Sequence, residues 1–238
     1  MTGTLINVGT VLAGTLLGIL LGSRLPERVR ETVMHSLGLV TLVVGVAQAL
    51  EAFRPPLTDL TRGAVLVVLG SVLVGGVIGE LLGIERGLDR IGEILKAWFG
   101  RGQARFTEGF VVASLVFCVG PLTIVGSIQD GLTGDFQLLA IKSLLDGFAA
   151  LAFASALGWG VGFSALTVLV YQGALSLSAT AAAGAFSGSM IAAMSAVGGV
   201  MILGIGLRLL DLRQIRVANL LPALVLAPAA VAFLEAVR

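Results

Sequence analysis

Residues 136–157 read FQLLAIKSLLDGFAALAFASAL. The segment is apolar over the length that a helix needs to cross about 30 Å of hydrocarbon, which takes about 20 residues. Inside it stand Lys142 and Asp146. Four residues apart, they share one face of a helix, with Asp146 near the midpoint. An ionisable side chain at mid-depth costs about 2.5–3.5 kcal/mol on the translocon scale, so it requires a partner or a water-filled cavity. One reading makes the two residues a local ion pair that pins this helix in a bundle. The other makes them a substrate, ion or proton site that faces an aqueous path. Asp146 favours the second, because Ser or Thr hydrogen bonds hold transmembrane helices together without a buried charge.

The rest of the chain sets the solvent. Of its 238 residues 57% are hydrophobic and 12% charged, and the mean hydropathy is +1.03. An ordinary soluble domain carries about 25% charged residues. The expectation is an all-α, polytopic α-helical membrane protein, a single integral domain over 1–238. Apolar windows bounded by charge or turn residues predict about eight transmembrane helices, over 3–22, 32–50, 63–83, 107–126, 136–157, 160–181, 187–208 and 216–236. The count falls to seven if the small-residue connection SATAAAGAFSGS makes 160–208 a re-entrant or broken segment. The opening MTGTLINVGTVLAGTLLGILLG has its basic residues after the apolar run rather than before it, and reads as a retained first span.

Charge placement gives an orientation. With the N-terminus outside, inner loops hold Arg24, Arg28, Arg30, Arg86, Arg90, Lys96, Arg101, Arg105, Arg208, Arg213 and Arg216, whereas outer segments hold Arg54, Arg62 and Arg238. Eleven against three follows the positive-inside rule and predicts both termini outside a bacterial inner membrane. The connection at 84–106, IERGLDRIGEILKAWFGRGQARF, places Ile84, Leu88, Ile91, Leu95 and Trp98 on one helical face and Arg86, Asp89, Arg90, Glu93 and Lys96 on another. That pattern predicts an amphipathic helix in the cytoplasmic headgroup layer.

Two internal matches stand out. VGTVLAGTLLGILLG (8–22) resembles LGSVLVGGVIGELLG (69–83), with glycines at four-residue steps that let helix backbones approach closely. These stripes would also suit a homodimer interface. MHSLGLVTLVVGVAQALE (34–51) aligns without gaps on MSAVGGVMILGIGLRLLD (194–211). As spans two and seven they run in opposite directions, the pattern of an inverted repeat.

Polar chemistry concentrates around the fifth span. GPLTIVGSIQDGLTGD (120–135) carries Pro121, which removes a backbone donor, and Gly120, Gly126, Gly131 and Gly134, which loosen the backbone around them. It is expected to break the helix, with Ser127, Gln129, Asp130 and Asp135 at the break. The plain alternative is an outer hairpin loop. In the sixth span Tyr171 and Gln172 lie near the middle, and Gln172 needs a hydrogen bond there, as interhelical glue or as a ligand contact. Glu80, near the end of the third span, reaches the interface or pairs with an Arg. His35 reads as an interfacial hydrogen-bonding group rather than a useful titrating one.

Other classes are excluded or lack support. The net charge of +1, with no basic block, argues against a nucleic-acid partner. The single Cys118 rules out a disulfide and a thiolate metal site, and reads as a small buried hydrophobe. No metal cluster, nucleophile elbow, phosphate loop or dinucleotide motif is present, so neither a cofactor nor a resident metal is expected.

FCVGPLTIVGSIQDGLTGD, IKSLLDGFAALAFASALGWGV, VLVYQG and GGVMILGIGLRLLDLRQIRVANLLPALVLAP, together with GTLINVGTVLAGTLLGILLG, resemble the bacterial family called domain of unknown function 554, the YqgA-like proteins. The similarity covers essentially the whole chain. It implies a multi-pass inner-membrane protein with a suspected transport role, and assigns no role to any single residue.

The expected function is a membrane transporter or channel for a small solute or ion. In it Asp146 and Asp130 bind a cation, a proton or a cationic group, and Lys142 neutralises or gates Asp146. Ser127, Gln129 and Gln172 supply neutral ligands, with Asp135 and Tyr171 nearby. The alternative is a structural or partner-binding membrane subunit. A membrane-embedded enzyme using a buried carboxylate for acid–base work finds no motif here, and no enzyme is expected.

Overall fold

The computed structural model describes residues 1–22, 26–99, 104–179 and 186–237. Arg24, Arg101 and Arg238 of the charge count, and 180–185 of the connection before the seventh span, lie outside them. The described residues form helices α1 (Thr2–Gly22), α2 (Glu27–Ala49), α3 (Leu57–Leu60), α4 (Ala64–Leu82), α5 (Ile84–Phe99) and α6 (Phe106–Cys118). They continue with α7 (Pro121–Thr133), α8 (Gln137–Leu157), α9 (Gly160–Leu177), α10 (Gly188–Leu209) and α11 (Ala223–Val237). Two 3₁₀ turns, Leu50–Phe53 and Val217–Leu220, extend α2 and precede α11.

Seven of these segments are long and apolar enough to cross a bilayer by themselves: Thr2–Gly22, Glu31–Leu60, Ala64–Leu82, Gln137–Leu157, Gly160–Leu177, Gly188–Leu209 and Val217–Val237. The sixth and seventh predicted spans are therefore two separate long helices. The fourth is a bent pair, α6 and α7, turned by 63° at the break. Its course is that of one interrupted crossing. Gly109 of α6 packs on Leu157, the Phe117 ring lies 6.3 Å from the Phe153 ring, and Gly126 of α7 packs on Leu139. Moving forward along the pair thus moves steadily back along α8.

The sequence placed this break at 126–135, and the structure moves it to Val119–Gly120. Pro121 occupies the first turn of α7, where its missing N–H removes nothing from the helix ladder. Gly126 and Gly131 are not breakers. They admit the Leu139 side chain and the Ser176 carbonyl, respectively, onto an unbroken helix. The helix ends at Gly134, whose φ of 73° favours glycine.

The single domain expected for 1–238 divides into two compact units, Met1–Leu37 with Leu88–Ala183 and Gly38–Gly87 with Gly184–Arg238. In the first unit α1 packs on α8 with the two chains running the same way. Gly14 meets the Gly147 carbonyl, Gly18 the Leu151 carbonyl and Gly22 the Ser155 backbone. No side chain fits between these backbones, which is why the stripe is glycine. α6 runs beside α9, where Gly160 makes room for the Phe106 carbonyl and the hydroxyls of Ser114 and Thr167 are 2.9 Å apart. The part of α5 in this unit seats Thr107 and Phe110 on Gly92, and leaves Ile91, Ile94 and Trp98 exposed.

In the second unit the C-terminal part of α2 packs antiparallel on α10. Gly38 meets Leu210, Gly206 meets Leu42, and Gly199 meets the backbone of Gln48 and Ala49. α4 packs antiparallel on the chain entering α11, with Gly79 against the Asn219 carbonyl and Gly75 against Ala223. Gly14, Gly18 and Gly22 of the first span and Gly75 and Gly79 of the third are thus packed inside each unit. Gly9 and Gly70 alone among the eight matched glycines have nothing within 4 Å.

Candidate functional site

The polar side chains of the first unit converge where α1, α8 and α9 meet. One turn of α8 puts Lys142 and Asp146 on the face that α1 covers, and Lys142 Nζ donates to Asp146 Oδ2 in a tight ion pair. The same oxygen accepts from Asn7 Nδ2 of α1 at 2.9 Å. Asn7 Nδ2 also donates to Gln172 Oε1 of α9 at 3.0 Å. Gln172 Nε2 turns to Thr4 Oγ1 at 3.4 Å, and Thr4 Oγ1 lies 3.5 Å from Ser176 Oγ. All six side chains are buried, Asn7, Thr4 and Gln172 completely. Asp146 and Gln172 both demand a donor, which fixes the Asn7 amide orientation.

This arrangement leaves acceptors open. Asn7 Oδ1 is buried without a donor. Among the described residues Asp146 receives both of its bonds on Oδ2, and Oδ1 receives none. No three His, Cys, Asp or Glu side chains among the described residues converge on a metal-binding position. The acceptors without a donor among the described residues are oxygens, Asp146 Oδ1 and Asn7 Oδ1.

The break in α6–α7 adjoins this cluster. Lys142 and Asp146 are near enough to Cys118, the last residue of α6, to act on its thiol electrostatically. Beyond Cys118 the backbone opens, and the Thr123 hydroxyl of α7 reaches back 3.3 Å to the Phe117 carbonyl. That bond satisfies one of the carbonyls left free at the end of α6.

The other predicted residues separate into two groups. Asp130, on α7, is buried and joins the near end of α1, where Oδ2 accepts from Gly3 N at 3.1 Å and lies 2.8 Å from the Met1 amino group. Its Oδ1 and the Ser127 hydroxyl one turn earlier are buried without partners. Gln129 and Asp135 bond to each other at 2.7 Å, and Asp135 Oδ1 accepts from Gln137 N at 3.0 Å. Asp135 therefore binds the first amide of α8 from just before the helix and stands apart from the core. Tyr171 makes no side-chain hydrogen bond among the described residues, although it neighbours Gln172 on α9. His35 is exposed on α2.

The second unit holds an ionic cluster of its own. Glu85 is buried, accepting from Arg208 Nη1 at 2.9 Å and from Ala218 N at 2.7 Å. Asn219 accepts from Glu85 N at 2.8 Å and donates to Glu80 at 2.6 Å, and Arg216 donates to the other Glu80 oxygen at 2.6 Å. Glu80 thus has the Arg partner its position called for. Every carboxylate oxygen in this cluster has a donor, and it ties α4 and the start of α5 to the chain between α10 and α11.

A separate groove of about 520 Å³ runs between α1 and α9, lined by Val8, Leu12, Leu16, Phe163, Leu166 and Leu169 among others. Its apolar lining suits lipid tails, and none of the polar core residues contributes to it.

Asn7, Thr4 and Ser176 do not stand out in the sequence. Thr4, Asn7, Val11, Gly14, Thr15 and Gly18 recur at helical spacing and are the buried face of α1. That periodicity is the signal that could have found them, but the glycines within it already account for a packed face.

The chain matches the family model described as "Protein of unknown function (DUF554)" over residues 2–232. It is similar to the uncharacterized membrane protein YdfK of Bacillus subtilis (strain 168), 27% identical over 236 residues that cover 99% of this chain and 98% of YdfK. It is also similar to the uncharacterized protein YqgA of Escherichia coli (strain K12), 33% identical over 230 residues that cover 94% of each chain. No solved structure matches it.

Proposed function

The chain belongs to the DUF554 family, and from that premise we propose that it is a membrane transporter or channel for a small solute or ion, with its site at Asp146. The observation that carries this reading is the Lys142–Asp146 pair buried beside an interrupted helix, with oxygen acceptors left open around it. Interrupted helices at mid-membrane are how transporters bring free backbone groups and helix-end dipoles to a solute. A pin for packing alone would have every polar atom satisfied, as the Glu85 cluster does. Asp130 and Ser127, with open atoms at the far end of α7, are the approach to the site.

The antiparallel pairing of α2 with α10 supports reading their matched sequences as inverted copies. The distribution of Lys and Arg supports an inner-membrane protein with both termini outside. The test is flux in reconstituted vesicles. Asp146→Asn should abolish solute or ion movement while the purified protein stays helical and monodisperse. Unchanged flux in that variant removes Asp146 from the function.

The second reading is a structural or partner-binding subunit. Mutual satisfaction of Lys142 and Asp146 and the exposed apolar residues of α5 favour it. Co-purification of a stoichiometric partner, with no flux in vesicles, would decide for it.

A further inference from the structure

Resting on the transport reading, we infer that the site takes a monovalent cation and that Lys142 supplies the counter-ion, so that one cation is exchanged for one proton. Three features of the core carry this. The open atoms, Asp146 Oδ1 and Asn7 Oδ1, are acceptors, which favour a cation and repel an anion. The pair is neutral as it stands, and neutrality has to be kept in a buried site. Lys142 has no acceptor among the described residues besides Asp146.

A cation that takes Asp146 therefore strands the ammonium. Lysine, unlike arginine, is able to lose its proton when its surroundings disfavour the charge. One Nζ–H bond breaks, the electron pair stays on nitrogen, and the proton leaves to water in the access path. The Lys142 ammonium and a free monovalent cation become a neutral Lys142 amine, a cation held by Asp146 and Asn7, and a released proton. The net charge of the core is zero before and after. A divalent cation would leave one positive charge buried even with Lys142 neutral.

The other titratable groups facing the pair are few. α6 brings Cys118, and α9 brings Tyr171 behind it. Asp130 of α7 is engaged instead at the start of α1, by Gly3 and Met1. α1 brings the amide of Asn7 and the hydroxyl of Thr4, neither of which ionises. Among the described residues Lys142 is the one ionisable group in direct contact with the carboxylate.

The experiment is proton release from the full-length protein in weakly buffered detergent on addition of sodium, potassium or methylammonium chloride, against choline chloride at equal ionic strength. The wild type should release about one proton per cation bound for at least one of the three. Lys142→Arg, which keeps the pair and the fold, should show neither binding nor release, because arginine retains its proton. Cys118→Ser should release as the wild type does. Release that survives in Lys142→Arg, or that disappears in Cys118→Ser, overturns the assignment to Lys142. Solute flux in vesicles without cation-dependent proton release overturns this exchange but leaves transport standing. Absence of flux under any gradient overturns both.

Discussion

Asn7 donates to two acceptors on two different helices and receives nothing, so it sets the geometry of the core. Asn7→Leu keeps the branched shape, removes one of the two donors to Asp146 and leaves Gln172 Oε1 without any. Each unsatisfied buried group costs roughly 1–3 kcal/mol, so the thermal unfolding midpoint in detergent should fall clearly. Lys142→Met is expected to be worse, about 3–5 kcal/mol, because it leaves an uncompensated buried carboxylate. The double replacement Lys142→Met with Asp146→Leu should recover most of that stability and remain without flux. Recovery of stability together with flux would make the pair a pin. Half of this core was legible from residue type. Lys142, Asp146 and Gln172 stand out because their apolar background makes any polar group conspicuous. Asn7 and Thr4 were not, because they sit among glycines whose spacing already had an explanation. Ser127 and Asp130 were expected near the solute path, and both are buried with open atoms. Gln129 and Asp135 satisfy each other and are spoken for by the start of α8.

Glycine decides how the helices meet. A Cβ at Gly14 would enter the Gly147 carbonyl, and one at Gly79 the Asn219 carbonyl. Gly14→Val and Gly79→Val should each destabilise by at least the roughly 1–3 kcal/mol typical of overpacking, seen as loss of monodisperse protein on gel filtration. Gly9→Ala is the control. Nothing lies within 4 Å of Gly9, so the change should be neutral or stabilise by up to about 1 kcal/mol. Equal damage at Gly9 and Gly14 would contradict the packing described for α1. At this scale the sequence yielded helix positions well, because long apolar runs between charges have no other structure in lipid. The break it misplaced by several residues. Gly126 and Gly131 look like breakers in the sequence, yet their missing side chains are used for close contact. Composition alone does not separate those two uses of glycine. Nor did it pair Glu85 with Arg208, whose contact joins positions far apart in the chain.

For the molecule in its membrane, the Lys and Arg distribution predicts that the α5 side faces the cytoplasm. In a Cys118→Ser background, Arg62→Cys should react with an impermeant thiol reagent added outside intact cells, whereas Asp89→Cys should react only after permeabilisation. The reverse pattern would invert the orientation. What the charge count could not give was the division into two units, because each draws on two separated stretches of chain. The account as a whole stands on the Asp146 core opening to water in some state of the cycle. The chain carries its own probe for this, since its single cysteine, Cys118, adjoins the ion pair at the helix break. Labelling of Cys118 in native membranes by a small water-soluble methanethiosulfonate is the direct measurement. The account predicts slow but complete labelling, altered by the transported cation. Cys118 that stays unlabelled for hours, yet reacts fully once the protein is unfolded in detergent, would mean a core sealed from water and would contradict it.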